Sequence, residues 1–262
     1  MTMTPETLPT IAVADLHGHR SHLDALLAEL DRVYLDGYRL MLLGDYVDNG
    51  PDTPGLLDRL IELEEERGPE RFQAILGNHD LALLRTLGQP GTTPDEPWFQ
   101  HWRRRFGGRT TQEAYGARSA AELSEKMPEA HVRFLEARPW FVDDGVHLFV
   151  HAGLEPGPLE PQLDALRAKT LPDGHLWTPQ PLRNRQLGSV EDPSWSRVVV
   201  SAHVKNPAEA APGHPHATHY LGEKRICLAG CVDDPKNQTL HAIALPERRL
   251  WSVGPNKEVR SQ

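Results

Sequence analysis

Nowhere in the 262 residues does an apolar run approach the roughly 18 residues of a membrane span, so a helical transmembrane protein is excluded. The first residues, Met1 to Pro9, contain neither a basic stretch nor an apolar one, and a cytoplasmic location is expected. Cysteine is scarce. Cys227 and Cys231, four apart, have no second pair to complete a zinc cage, and they read as small apolar packing residues in a reducing compartment. Basic residues are in the minority, 28 Lys and Arg against 37 Asp and Glu, and the net charge of -9 argues against membrane association and stable nucleic-acid binding. It leaves a phosphorylated substrate open, because bound divalent cations would reverse the local sign.

What the chain does have is a repeated arrangement of apolar run, glycine and polar residue. Arg39 to Leu43 runs into Gly44-Asp45-Tyr46-Val47-Asp48-Asn49-Gly50, Thr10 to Ala14 runs into Asp15-Leu16-His17, and Phe72 to Leu76 runs into Gly77-Asn78-His79-Asp80. Apolar runs of this length read as buried parallel strands, which place these residues on the carboxyl edge of one sheet. Between them, Ser21 to Val33 and Pro54 to Glu66 carry apolar residues at helical spacing, with the acidic run Glu62 to Glu66 as a solvated face. The alternation implies a parallel sheet with right-handed crossovers.

After Leu87 the pattern changes to a loop and then short helices, read as a helical cap inserted at about 88–137 in a single domain spanning 1–262. Its Trp98, Phe99, Trp102, Phe106 and Tyr115 stand beside Arg103, Arg104, Arg105 and Arg109. They suit either an aromatic core with solvated arginines or a grip on a nucleotide or phosphopeptide. Strands resume as a hairpin-like pair, Trp140 to Val142 and Val146 to Val150, the second ending at His151. A further strand, Arg197 to Ser201, ends at His203. Runs near Lys224–Leu228, Leu240–Leu245 and Leu250–Val253 are expected to be antiparallel, in a second sheet packed on the first. The histidines of Gly213 to His219 could bind metal, but read as an exposed loop.

Five strand ends thus present Asp15, His17, Asp45, Asn78, His79, His151 and His203. Buried together without a cation they would be costly. Imidazoles, carboxylates and a carboxamide without thiolate suit manganese, iron or zinc better than calcium, and there are ligands enough for two divalent ions with Asp45 shared. Such a pair would create a bridging hydroxide nucleophile and neutralise a phosphoryl group.

Asp15-x-His17, Gly44-Asp45-x-x-Asp48, Gly77-Asn78-His79-Asp80, His151-Ala152-Gly153 and His203 resemble the signature blocks of the calcineurin-like metallophosphoesterases. Within that superfamily the chain is most similar to bacterial phosphoprotein phosphatases and symmetrical diadenosine tetraphosphate hydrolases. Phe106 to Gly116 and Cys227 to Leu245 extend the likeness. The resemblance implies an α/β fold of two packed mixed sheets flanked by helices, in four layers. It implies Asp15, His17 and Asp45 on one metal, and Asp45, Asn78, His151 and His203 on the other, with manganese preferred and iron or zinc as the alternatives. His79 corresponds to the general acid and Asp48 to its carboxylate partner. The chain departs from the phosphatase pattern at Asn49 and Leu76, where arginines are common, and at Thr178-Pro179 after Trp177. Asn49, Arg183 and Arg185 are then the candidate substrate contacts. The leading expectation is hydrolysis of phosphate monoesters on a protein or small molecule. The alternatives are a diester or pyrophosphate hydrolase acting on dinucleoside polyphosphates or cyclic nucleotides, and a degenerate metal-binding member.

Overall fold

The computed structural model describes residues 8–30, 34, 36–88, 93–168, 191–205 and 219–262. Arg183, Arg185, His214, His216 and Thr178-Pro179 lie outside the described residues. No described helix is long and apolar enough to cross a membrane.

The first sheet begins with β1 (Thr10–Val13), β2 (Arg39–Leu42) and β3 (Phe72–Ala74), joined in parallel through α1 (Arg20–Leu30) and α2 (Thr53–Arg71). Asp52 caps α2 by accepting from the Gly55 amide at 2.9 Å. The helix runs past Glu66 and kinks at Gly68, whose φ of 71° places it outside helical space before Pro69. Then follow α3 (Asn78–Leu87), α4 (Glu96–Arg105), α5 (Arg109–Ala114), α6 (Ala120–Lys126) and α7 (Glu129–Glu136). The second sheet contains β4 (Phe141–Asp143), β5 (His147–Val150), β6 (Val198–Ser201), β7 (Tyr220–Leu221) and β8 (Arg225–Cys227), in the order β4-β5-β6-β8-β7, and α8 (Leu159–Arg167) follows β5.

The tail differs from expectation. β8 pairs in parallel with β6, and the last strands β9 (Leu240–Leu245), β10 (Arg249–Val253) and β11 (Val259–Ser261) extend the first sheet instead of the second. The cause lies in β9: every residue is buried, with Ala242 and Ala244 facing the helices and Ile243 and Leu245 facing the other sheet. A strand apolar on both faces belongs inside a sheet, and β9 occupies the place beside β1.

Alternation along the strands separates the layers. Ile11, Val13, Leu40 and Leu42 join a core with Leu23, Leu26, Leu56 and Leu60 of α1 and α2, whereas Ala12 and Met41 meet Phe149 and Val200 between the sheets. Leu148 and Val199 turn outward onto Leu159, Leu163 and Leu166 of α8. The result is the expected α/β architecture of two mixed sheets with helices outside both, and it aligns the ends of β1, β2, β3, β5 and β6.

Both cysteines are buried and free. Cys231 lies 3.4 Å from Nε2 of His241, whose ring meets His219 edge-on at 4.2 Å. Burial holds His219 down at about 4, and burial together with His219 holds His241 at about 3. Both are lowered bases. Below the ordinary imidazole value the unfolded chain therefore takes up protons that the folded chain refuses, and stability present above that value declines as pH falls toward the folded values. The substitution His241→Gln should reduce the loss of Tm between about pH 7 and about pH 5; a loss equal to the parent's would refute this assignment.

Candidate metal centre

The loop after β2 is held by close backbone approach. Gly44 has φ of 94°, and a Cβ there would stand 2.5 Å from the Gly77 amide nitrogen. A Cβ on Gly77 would stand 2.0 Å from Oδ1 of Asp45. Two glycines thus let the turns after β2 and β3 touch. Of the eight non-glycine residues with positive φ among those described, five are site residues: His17, Asp45, Asp48, Asn49 and His203. Backbone strain is concentrated where the chain aims these side chains.

Three imidazoles converge on one buried carboxylate. Oδ2 of Asp45 lies 3.3 Å from Nε2 of His151, 3.6 Å from Nε2 of His17 and 4.0 Å from Nε2 of His79. The opposite ring nitrogens are committed elsewhere: Nδ1 of His17 donates to the Val47 carbonyl at 2.8 Å, and Nδ1 of His151 to the Leu43 carbonyl at 2.7 Å. A carbonyl can only accept, so in the neutral ring the proton sits on Nδ1 and Nε2 points a lone pair inward. His17 and His151 thereby acquire the tautomer of a metal ligand fixed by its outer hydrogen bond.

The remaining candidates adjoin this centre. Asn78 places its side-chain oxygen 3.0 Å from Nε2 of His151, and Asp15 accepts the His203 amide at 3.1 Å with Oδ1 3.9 Å from Nδ1 of His151. Donor atoms of Asp45, His151 and His203 all lie within 4.8 Å of one another, as do those of His17, Asp45 and His79. The two clusters share Asp45, as a binuclear site requires.

The electrostatics are those of a centre short of positive charge. Burial raises Asp15 to about 6, with the Asp45 charge adding to the rise and His151 and His17 opposing it. Burial works against a charged His151, but Asp45 and Asp15 outweigh it and hold the ring up at about 10. Asp45 is held well below the usual carboxylate range: burial raises it, and His151, His79 and His17 together overcome that. His203, buried and beside His151, falls to about 3 and stays neutral. Buried carboxylates among inward lone pairs fit divalent cations.

Asp48 stands outside the two clusters and pairs with His79, whose Nδ1 lies 3.0 Å from Oδ2 of Asp48. Asp48 is fully buried, and it also accepts from Trp102 Nε1 and Thr111 Oγ1, each at 2.9 Å. From sequence Trp102 reads as an aromatic core residue or as part of a grip on a nucleotide or phosphopeptide, and its hydrogen bond to Asp48 was not legible, since an indole that packs and one that donates look alike in sequence. Asp80 also had no role assigned from sequence. Its Oδ2 accepts the amides of Asp45 and Gly77 and its Oδ1 that of Tyr46, each at 2.9 Å, binding the two ligand-bearing turns together. Asn49, an expected substrate contact, is exposed, and its amide group donates to Asp233 at 3.2 Å. Asp233 in turn lies 3.3 Å from the Lys205 ammonium.

Residues 8–230 match the family model for calcineurin-like phosphoesterases. The chain belongs to that family. It is accordingly a metallophosphoesterase, a hydrolase with two His/Asp clusters able to hold metal. Curated relatives include two proteins named symmetrical bis(5'-nucleosyl)-tetraphosphatase. That of Ralstonia nicotianae is 38% identical over 114 residues, covering 39% of this chain and 38% of the relative. That of a Janthinobacterium species is 28% identical over 152 residues, covering 57% and 45%. The matches thus span less than half the length of either relative.

Among solved metallophosphoesterase folds, a structure described as a putative diadenosine tetraphosphatase has TM-score 0.54 and 19% identity, covering 97% of this chain and 96% of its own. A cold-active protein-tyrosine phosphatase of a Shewanella species has TM-score 0.50 and 14% identity, covering 97% and 80%. At these identities the likeness is one of fold.

Replacing Asp80 by Asn would set an amide donor against backbone N–H groups. Asp80→Asn should lower unfolding free energy by about 2 kcal/mol or more and weaken metal uptake, read by denaturant titration and by metal content after gel filtration. Unchanged stability with full metal content would show that the three amide bonds do not position the turns.

Proposed function

We propose that the protein hydrolyses a phosphoric anhydride bond of a dinucleoside polyphosphate, with His79 as the acid that protonates the departing oxygen. Asp15, His17 and Asp45 would hold one divalent ion, and Asp45, Asn78, His151 and His203 a second, with manganese the best candidate. When bound, such ions supply an activated water and neutralise charge on the phosphoryl group.

The chain's own contribution is to orient the acid. Burial disfavours a charged His79, but Asp45 and Asp48 more than compensate and hold it up at about 9, so it is protonated at neutral pH. Asp48 faces Nδ1 and thereby turns Nε2 toward the centre. Trp102 and Thr111 keep Asp48 from rotating away. The attacking water forms a new P–O bond and gives up one proton to solvent, the bond to the leaving phosphate breaks, and the proton on Nε2 passes to that leaving oxygen.

Asn49 carries the choice of substrate class. Where the phosphatase pattern has a guanidinium, the side chain here is neutral, and its N–H is spent on Asp233. A phosphomonoester dianion depends most on a guanidinium fork, and an internal phosphate of an anhydride bears one negative charge fewer. The names of the curated relatives support the same class. Hydrolysis of phosphate monoesters, the leading expectation from sequence, is the competing reading.

Manganese-loaded enzyme should cleave diadenosine tetraphosphate with a kcat/KM at least about tenfold above that for p-nitrophenyl phosphate; the reverse preference would overturn the substrate class. His79→Ala should lower kcat by about a hundredfold or more. Asp48→Asn should move the alkaline limb of the pH profile to lower pH, because an acid with a lower pKa loses its proton sooner; an unmoved limb would remove His79 from the role of acid.

A further inference from the structure

Both ends of the Asn49 amide are occupied. Nδ2 donates to Oδ2 of Asp233 at 3.2 Å, and Oδ1 packs so closely on Gly107 that a Cβ there would stand 1.8 Å from it. The other oxygen of Asp233, Oδ1, lies 3.3 Å from Nζ of Lys205. That oxygen has no hydrogen-bond partner among the described residues, so the lysine is held there by charge alone. The Lys205 side chain is 44% exposed and that of Asp233 13%, and the ammonium has no other partner among the described residues.

Lys205 stands on the rim of the metal centre. It is the second residue after His203, and the carbonyl of the intervening Val204 accepts the Gly230 amide at 3.0 Å. A Cβ on Gly230 would stand 2.1 Å from Oδ2 of Asp15, and Asp233 lies three residues further along the chain. One carboxylate thus gathers the segments that follow β2, β6 and β8, and sets an ammonium beside the position that lacks a guanidinium.

We propose that Lys205 holds a second phosphate of the substrate, the one joined to the phosphate at the metals. The inference rests on the reading of an anhydride substrate. A monoester's single phosphate is taken up at the ions, whereas a polyphosphate chain runs on from them over the rim. Each further phosphate brings negative charge to a protein whose own net charge is -9, and a cation at the rim offsets it. An ammonium on a flexible stem is a point charge without the fixed fork of a guanidinium, and it can follow a chain of phosphates that pivots about the ions. The pair with Asp233 is no obstacle. An exposed ion pair adds little to stability, and a single carboxylate oxygen leaves donors of the ammonium unused.

Calorimetric titration of manganese-saturated protein with imidodiphosphate, two joined phosphoryl groups that resist hydrolysis, and with inorganic phosphate tests the assignment. Lys205→Ala should weaken imidodiphosphate at least about tenfold and inorganic phosphate less than about twofold, and Lys205→Arg should restore most of the loss. Asp233→Asn breaks the same ion pair but also removes an opposing charge, so it should tighten imidodiphosphate by about twofold or more. A merely structural pair would make the two substitutions act in the same direction. Absence of imidodiphosphate binding, unchanged binding in Lys205→Ala, equal weakening of both ligands, or loss of affinity in Asp233→Asn would overturn the proposal. A protein that shows the expected binding changes yet leaves diadenosine tetraphosphate intact would overturn the proposed function and leave Lys205 standing as a phosphate contact.

Discussion

The convergence of three imidazole nitrogens on one oxygen of Asp45 is the constraint around which the rest of the structure is arranged. Asp45 is 1% exposed, and water cannot relieve the charge it carries. The backbone carbonyls of Val47 and Leu43 fix the tautomers of His17 and His151, so that each ring, when neutral, turns the lone pair of Nε2 inward. A centre of this kind is stable only with positive charge, from protons on the rings or from cations. The shift of His151 to about 10 expresses the first solution and the shared ligand geometry accommodates the second.

Holding that centre requires turns from different strands to touch. Gly44 and Gly77 permit the approach, and Asp80 secures it by accepting three amides from the two turns. Asp80 is itself raised to about 6, first by its burial and then by the neighbouring Asp45, against the pull of those amides. Two buried carboxylates so close together are tolerable because each is surrounded by donors. The helices after Leu87 serve the same end from the other side, since Trp102 of α4 and Thr111 of α5 anchor Asp48.

The parts legible in the sequence are those where one residue type has one physical use. A buried apolar run that ends at glycine and a ligand residue reads as a strand meeting an edge, and five such ends located the centre. The placement of β9 was less legible, because a run buried on both faces states that it is interior without stating in which sheet. Asp80 was obscured for a different reason: next to a histidine at a helix start, a carboxylate serves a cap, a ligand and a backbone clamp equally well. Trp102 and Asp233 act through contacts with residues 54 and 184 positions away, which no local pattern encodes.

Chemistry and selectivity therefore reside in different layers. In the proposed reading the ligands and the His79–Asp48 pair act on phosphorus and a leaving oxygen, features common to every phosphoric ester and anhydride. Discrimination has to come from what surrounds them. On one side Asn49 is bound to Asp233, whose charge is shared with Lys205, so position 49 itself supplies an amide where a guanidinium fork would stand. On the other side His79 meets Phe106 edge-on. A neutral amide committed to Asp233 holds a phosphate oxygen less firmly than a guanidinium fork does, so at Asn49 selection works by what the side chain withholds.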